Sequence, residues 1–389
     1  MSLSISGSLK SGKFCAGYSD TVIFKNDVIY RNNPLPFITG IWFPINQIDS
    51  SDQMVFGDFF RDNQMNSTLS PSIGLMVNNL QKLVSGYKME PDFFIHYKEA
   101  SKKKMDLALK IIGIQTNSFR SKLPVKEKFP CIVYHHGSGS NPFENYELFE
   151  LLAQHGYVVI SASYMLADST NQKLVSNHTS QESYAGDIQF ITSFVKSISC
   201  VDTSKMLLMG HSWGAQAALE FDYFDSIKPY QAIISLQTTL EEVSVSEASG
   251  WKYLDFIYQN RSSNCTTPAF LITSVSLRKR KAENSNGFEY RNVQPEYLPF
   301  RENKTTPYTF ITIGKVLYHH QFVSAGHMRY KIALENGYED INELKEQYQL
   351  YQNLNQTILF LCEQILKGSN SDISDFFREK EFSIEFVNQ

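Results

Sequence analysis

The stretch that decides the fold is Gly210-His211-Ser212-Trp213-Gly214, which lies between the apolar run 205–209 and a helical run at 214–221. Two glycines flank the serine, so neighbouring backbones can approach it without a Cβ clash. The run before the turn reads as a buried strand, and the run after it as a helix. A serine between them is expected to sit in a strained, exposed turn. Ser212 is therefore the candidate nucleophile.

Apolar runs on both sides of this stretch predict further strands and helices. The predicted strands are 17–24, 37–43, 130–134, 157–161, 231–236, 269–273 and 315–323, and the predicted helices are 73–84, 143–155, 183–197 and 344–366. Residues 98–122 are charged and predict irregular structure. Short buried strands that alternate with helices predict an α/β fold, with a mostly parallel sheet covered on both faces. Ligands of such sheets bind at the carboxyl ends of the strands, so site residues are expected there.

The composition gives no sign of a nucleic-acid-binding or transmembrane protein. The chain has 389 residues, of which 42% are hydrophobic and 20% charged, as in an ordinary soluble globular protein. The net charge of −4 gives no reason to expect nucleic acid as a partner. No apolar run is long enough to form a transmembrane segment. The first residues lack the apolar core of a secretory signal. The compartment stays open between the cytoplasm and, if a signal was removed, a secreted or periplasmic location.

Cysteine spacing gives no sign of a disulfide framework or a zinc site. The five cysteines are odd in number, far apart and without a C-x-x-C pair: Cys15, Cys131, Cys200, Cys265 and Cys362. Such a pattern predicts buried free thiols. No HExxH or other metal-ligand spacing is present either, so we expect no metal.

A second glycine-rich turn, His135-His136-Gly137-Ser138-Gly139-Ser140, follows the predicted strand 130–134. It begins a G-x-G pattern, but Pro142 stands where a dinucleotide loop has its third glycine, which excludes that reading. The plain alternative is a flexible turn. Hydrolases with a serine turn of this kind place an oxyanion donor in a histidine–glycine loop after the corresponding strand. We predict that the backbone N–H groups of Ser138 and Trp213 are the oxyanion donors.

The general base is expected to follow the nucleophile in chain order, which leaves His319, His320 and His327 as candidates. The first two lie within the predicted strand 315–323, where a hydrogen-bonded strand histidine is the simpler interpretation. His327 follows that strand, in a loop at its carboxyl end. The position predicts that His327 is the base, whereas His136 and His211, which flank the two turns, are interpreted as structural.

At this point the chain resembles the platelet-activating-factor acetylhydrolase branch of the α/β hydrolases, close to dienelactone-hydrolase-like enzymes. The two turns around Ser212 and Gly137 carry the specific part of the resemblance. Supporting segments are Ser11–Gly17, Thr39–Pro44, Phe56–Phe60, Phe129–Gly137, Gln154–Val158, Gly186-Asp187 and Val201-Asp202.

The resemblance implies a serine esterase with the α/β-hydrolase fold, acting without a metal or cofactor. Its substrate would be an ester of a short or modified acyl group, in a small or lipid-like molecule. Residues 1–389 would form a single domain, in which residues 1–122 add N-terminal strands and a helical insertion to a core at 123–389. The state of oligomerisation stays open.

The chain departs from this family at the catalytic acid. The family has an aspartate after the strand that follows the nucleophile helix, and here that strand ends in Ser235-Leu236-Gln237. Gln237 can accept a hydrogen bond and orient the base, but it carries no charge. Glu241 and Glu242 are nearby replacements. The alternative acid position, 274–278, has no carboxylate, and Asp187 is interpreted as a helix residue packed on the sheet.

Two further functions remain open beside the ester hydrolase. Loss of the acid favours a non-catalytic binding protein that keeps the fold, whereas the retained serine turn, histidine–glycine loop and candidate base favour an active enzyme. A peptidase or an acyltransferase would use the same machinery, because the pocket and its access to water decide between these reactions.

Overall fold

The computed structural model describes residues 12–46, 53–60, 69–84, 101–120, 124–170, 172–176, 181–240, 265–281, 288–293, 306–335, 341–369 and 382–387, together with 295, 297, 300–301 and 376–377. The strands in chain order are β1 (Cys15–Tyr30), β2 (Asn33–Ile45), β3 (Gln53–Val55), β4 (Gln115–Arg120), β5 (Phe129–His135), β6 (Val158–Ala162), β7 (Leu166–Ala167), β8 (Leu174–Val175), β9 (Val201–His211), β10 (Ala232–Leu236), β11 (Ala269–Ser274), β12 (Ser276–Lys281), β13 (Phe288–Val293), β14 (Tyr308–Ile313) and β15 (Phe382–Val387).

The helices lie between these strands. They are α1 (Ser70–Val84), α2 (Ser101–Ile112), α3 (Tyr146–Gln154), α4 (Gln181–Val195), α5 (Trp213–Phe224), α6 (Met328–Glu335) and α7 (Asn342–Lys367), with short 3₁₀ helices at Phe56–Phe60, His319–Phe322 and Ser324–His327. Among the helices of the described ranges, none combines the length and the apolar character needed to cross a membrane. All five cysteines are free thiols, three of them buried.

Within the described residues, eleven strands form one sheet in the order β15-β14-β11-β10-β9-β5-β6-β2-β1-β4-β3. The six strands from β14 to β6 in this order are mutually parallel. Every residue of β5, β6, β10 and β14 is buried. This is the pattern of strands covered by helices on both faces, and it confirms the predicted mostly parallel sheet.

The direction in which the chain winds through the sheet changes at β5. The strand that follows, β6, pairs with one edge of β5, and β9, later in the chain, pairs with its other edge. The carboxyl ends of β5 and β9 therefore border a crevice, the position at which open α/β sheets bind their ligands. Both glycine-rich turns of the sequence lie at this crevice.

The N-terminal strands extend the same sheet. β1 pairs with β2, and β2 pairs with β6, each in antiparallel orientation. Fully buried Trp42 on β2 contacts the rings of Tyr18, Phe59 and Phe149, with centroids 4.8–5.5 Å apart. Burying an aromatic side chain of this kind contributes about 1.5–3 kcal/mol. Residues 98–122, predicted irregular, contain α2 and β4. That residues 1–389 form a single domain stays a prediction.

The predicted strand 315–323 is wrong. β14 ends at Ile313, and the chain then folds back into the 3₁₀ helix His319–Phe322. Gln321 closes this turn with two hydrogen bonds to Tyr318. Its backbone N–H donates to the Tyr318 carbonyl at 2.7 Å, and its side-chain oxygen accepts from the Tyr318 N–H at 2.9 Å. These local bonds satisfy the backbone groups that a strand would have paired with a neighbour.

Candidate active site

Ser212 occupies the turn between β9 and α5, as the sequence predicts. Its φ of 55° and ψ of −121° lie outside the regions that residues with a Cβ normally adopt, at a cost of about 1–3 kcal/mol. The surrounding backbone has no room for a Cβ at position 210 or 214, so both positions require glycine. A Cβ on Gly210 would lie 2.2 Å from the Gly214 carbonyl oxygen, and one on Gly214 would lie 2.1 Å from the His135 carbonyl oxygen.

His319 is the histidine that faces Ser212, the candidate nucleophile. Its Nε2 lies 2.8 Å from the Ser212 Oγ. Its Nδ1 forms a hydrogen bond with the side-chain oxygen of Gln237. Because an amide oxygen can only accept, the Nδ1 carries the proton and the Nε2 presents its lone pair to the serine hydroxyl. This is the tautomer that a general base requires.

The prediction that His327 faces the nucleophile is wrong. The side chain of His327 is buried, its Nε2–H donates to the Gln321 carbonyl at 2.8 Å, and its ring stacks on Tyr351 at a centroid distance of 4.6 Å. The physical reason is the fold of the chain after β14. The turn that Gln321 closes places His319 at the carboxyl ends of the strands. His327 follows eight residues later, where its ring contacts Tyr351 of α7.

Gln237 stands directly after β10, at the position of the family's acid. It has a positive φ of 41°, and its backbone N–H donates to the Ile272 carbonyl at 2.8 Å. The next residue is held by Gln216 of α5, whose side-chain amide donates to the Thr238 carbonyl at 2.7 Å. These bonds aim a neutral amide at the base. Glu241 and Glu242, the replacement acids considered from sequence, lie outside the described residues.

Burial shifts the titration of His319. Desolvation, together with the neighbouring His211, lowers its pKa to about 3, although the carboxylate of Glu144 acts in the opposite direction. At neutral pH the ring is therefore uncharged and able to accept a proton. A ring of such low pKa takes up a proton weakly, and Gln237, which bonds its Nδ1, carries no charge to offset the effect of burial.

The histidine–glycine loop after β5 lies against Ser212. A Cβ on Gly137 would stand 3.4 Å from the Cβ of Ser212. The loop is tethered from α1, where the side-chain amide of Asn79 donates to the Gly139 carbonyl at 2.7 Å. Ser138 is exposed in this loop, and Trp213 is the first residue of α5. Their roles as oxyanion donors stay predictions.

Glu144, for which the sequence pattern predicts no role, is a buried carboxylate behind this loop. Its Oε1 accepts hydrogen bonds from the Tyr134 hydroxyl at 2.8 Å and from the Gly137 N–H at 3.0 Å. The same oxygen lies 3.5 Å from Nδ1 of His211, whose Nε2–H donates to the His319 carbonyl at 3.0 Å. The structure thus places His211 between Glu144 and the backbone of His319.

The flanking histidines have structural partners. The Nδ1–H of His136 donates to the Gly137 carbonyl at 2.8 Å, and its Nε2 accepts from the Tyr164 N–H at 3.0 Å. Asp187 lies in α4, as expected, and pairs with Lys25 of β1 at 3.0 Å. Neither residue contacts the serine.

A pocket of about 220 Å³ opens in front of Ser212 and His319. One wall is the histidine–glycine loop, and the opposite walls are apolar side chains of α1 and of the segment after His320: Leu80, Leu83, Val323 and Ala325. The pocket is slightly smaller than the roughly 300–1,000 Å³ of sites for drug-sized ligands. It has room for a small acyl or alcohol group.

Comparisons with known proteins support this architecture. No family model matches the sequence, and no curated protein matches it. Among solved structures, the chain is similar to a ferulic acid esterase from Streptomyces cinnamoneus, with a TM-score of 0.55, 13% sequence identity and coverage of 97% of each chain. This likeness, together with the parallel sheet, confirms the α/β-hydrolase fold that the sequence predicts.

Proposed function

We propose that this protein is a serine hydrolase that cleaves a carboxylic ester through an acyl-enzyme, with Ser212 as nucleophile, His319 as general base and Gln237 as the residue that orients the base. One observation carries the proposal: at the carboxyl ends of the parallel strands, the Ser212 Oγ lies 2.8 Å from the His319 Nε2, and the Nδ1 of the same ring bonds Gln237. The strained turn that holds Ser212 supports the same role.

The reaction would proceed in two displacements. Ser212 Oγ attacks the ester carbonyl carbon while its proton moves to Nε2 of His319. The oxyanion that forms accepts hydrogen bonds from the Ser138 and Trp213 N–H groups, beside the positive end of the α5 dipole. When the tetrahedral intermediate collapses, His319 returns the proton to the departing alcohol. Water then repeats the sequence on the acyl-enzyme and releases the acid.

Gln237 fulfils one of the two roles of a triad acid. It fixes the ring and the tautomer of His319, but it does not stabilise the imidazolium by charge. In a well-studied triad, replacing the acid by an amide costs on the order of 10⁴ in kcat, and the wrong tautomer contributes to that loss. Because the tautomer here is correct, the proposed enzyme is expected to lose less.

The substrate proposed is an ester of a short or modified acyl group. The pocket of about 220 Å³ with its apolar walls supports this choice, as does the resemblance to the platelet-activating-factor acetylhydrolase branch. Activity toward a panel of p-nitrophenyl esters with acyl chains of increasing length should fall once the chain exceeds the pocket. Methyl ferulate, which represents the substrate type in the name of the similar structure, and aminoacyl p-nitroanilides, which report peptidase activity, complete the panel.

The experiment that tests the proposal is labelling with a fluorophosphonate. An activated serine forms an Oγ–P bond with this reagent and expels fluoride, while the proton passes to the base. The wild-type chain should label and hydrolyse esters, and Ser212→Ala should lose both without a change in thermal unfolding. A wild-type chain that does not label, or an Ser212→Ala variant that keeps its turnover, would contradict the proposal.

A second candidate function has one observation in its favour. The neutral side chain of Gln237 stands where the acid is expected, as in a hydrolase-fold protein kept for binding alone. The same labelling experiment separates the two, since a binding protein needs no activated serine and should stay unlabelled.

A further inference from the structure

We propose that Glu144 supplies the negative charge that Gln237 lacks, and that this buried carboxylate acts as the counter-charge of His319 when that ring becomes imidazolium. The inference rests on the proposed function. It assigns to Glu144 the role of a positioning residue, because the carboxylate acts on the base through His211 and through space and does not touch the serine.

The first support is the state of Glu144. Only 1% of the residue is exposed, and its Oε1 accepts two hydrogen bonds, from the Tyr134 hydroxyl and the Gly137 N–H. Burial alone would raise the pKa of this carboxyl, but His211 and His136 outweigh burial and lower the pKa to about 2. The side chain is therefore a carboxylate at any pH at which an esterase works, held inside the protein beside the reacting groups.

The second support is the path from this carboxylate to the base. His211 lies 3.5 Å from Glu144 on one side, and on the other it donates a hydrogen bond to the His319 carbonyl. The two imidazole rings lie with centroids 4.9 Å apart. Glu144 is thus tied to the segment that carries the base, and it also lines the same pocket.

The charges around the base determine the net effect. His211, His320 and Glu144 act on His319, and the two histidines oppose its protonation whereas the carboxylate favours it. Glu144 is the carboxylate among these groups, and its negative charge favours the imidazolium that proton transfer from Ser212 to His319 creates.

The test is whether a charge at Gln237 replaces the charge at Glu144. Glu144→Gln keeps the shape and an acceptor for the Gly137 N–H, and it should lower kcat about tenfold to a hundredfold while KM changes little. Gln237→Glu, an isosteric change, should raise kcat in both backgrounds, and the gain should be at least tenfold larger in the Glu144→Gln background than in the wild-type background. Glu147→Gln, whose carboxylate pairs instead with Lys331 at 2.9 Å, is the matched control and should keep wild-type kcat.

Several results would overturn the inference. They are an unchanged kcat in Glu144→Gln, a faster Glu144→Gln enzyme, or a Gln237→Glu effect that is the same in both backgrounds. If Glu144→Gln does not fold, Gln237→Glu decides alone, because a gain above tenfold at pH 8 would mean that the wild-type site has no counter-charge. Labelling of Ser212 in the wild-type protein distinguishes failure of this inference from failure of the proposed function. A labelled wild type without coupling refutes only the role of Glu144, whereas an unlabelled wild type refutes the proposed function.

Discussion

The two halves of the candidate site are held in place by different forces. On the nucleophile side, backbone sterics position Ser212, since Gly210 and Gly214 pack against carbonyl oxygens with no room for a Cβ. On the base side, side-chain hydrogen bonds between separate elements position His319, through Gln237 and His211. A half held by sterics tolerates no exchange of residues. A half held by hydrogen bonds can exchange a carboxylate for an amide and keep its geometry.

The largest effect should come from removing the base. His319→Ala is expected to lower kcat by about 10³–10⁴-fold, because Ser212 and His319 act as a unit and loss of either removes the activated nucleophile. Circular dichroism should show an unchanged fold, since the ring is partly exposed. The measurement is kcat with a p-nitrophenyl ester at pH 8.

His327→Ala provides the matched control for this change. Its ring holds the carbonyl of Gln321 in the turn that carries His319. The variant should therefore lose about 1–3 kcal/mol of stability, as expected for a lost buried hydrogen bond, yet stay within about tenfold of wild-type kcat while it is folded. If His327→Ala were the more damaging of the two to kcat, the base would have been assigned to the wrong histidine.

The next prediction tests the nucleophile side of the site, which steric packing holds in place. Gly214→Ala places a Cβ 2.1 Å from the carbonyl oxygen of His135, at the end of buried β5 where neither backbone can move. We expect a loss of about 3 kcal/mol or more in the free energy of unfolding, at the upper end of overpacking effects. Gly74→Ala is the control, because nothing lies within 4 Å of a Cβ at this exposed helical position. It should stabilise the protein by about 0.5–1 kcal/mol. Urea denaturation measures both, and equal effects would contradict the steric account.

The difference between the halves also explains what the sequence could predict. The nucleophile turn depends on residues within four positions of Ser212, so a pentapeptide and its flanking runs were enough to locate it and to indicate the α/β fold. The histidine–glycine loop was found in the same way, because it directly follows a recognisable buried strand.

The base half depends on contacts between distant segments. His319 and His327 are eight residues apart, and the choice between them is made by the turn that Gln321 closes after β14. The apolar residues of that segment suggested a strand instead. Glu144 was missed for a similar reason. In the sequence it is an ordinary acidic residue in the first turn of a predicted helix, and only the fold buries it against Tyr134 and His211.

A smaller effect concerns pH. The low pKa of His319, about 3, is caused by burial and by His211, so kcat/KM of the wild type should stay level well below pH 6.5. Gln237→Glu places a carboxylate on Nδ1, which favours the protonated ring and should raise the base's pKa by about 1–3 units. Because only the neutral ring accepts the serine proton, kcat/KM of this variant should fall at correspondingly higher pH as the solution is acidified.

Gln231→Glu is the control for the pH profile. This residue precedes the same strand at its opposite end, and its side chain is exposed, with its amide on the Ser204 carbonyl. The added charge there should leave the profile of kcat/KM unchanged. A profile that moved equally in both variants would report net charge and not the contact with His319.

The smallest effect should come from the tether between α1 and the histidine–glycine loop. Asn79 donates to the Gly139 carbonyl at 2.7 Å, and Gly139 itself has a positive φ of 71°. Asn79→Ala removes one hydrogen bond and should cost about 1 kcal/mol of stability. It should also lower kcat/KM by about threefold to tenfold, because a looser loop positions its N–H groups less well against the oxyanion. Asn78→Ala, at the exposed neighbouring position of the same helix, should change neither quantity. Equal kcat/KM in the two variants, measured with the same ester, would mean that the loop keeps its geometry without the tether and that sterics alone hold the nucleophile half.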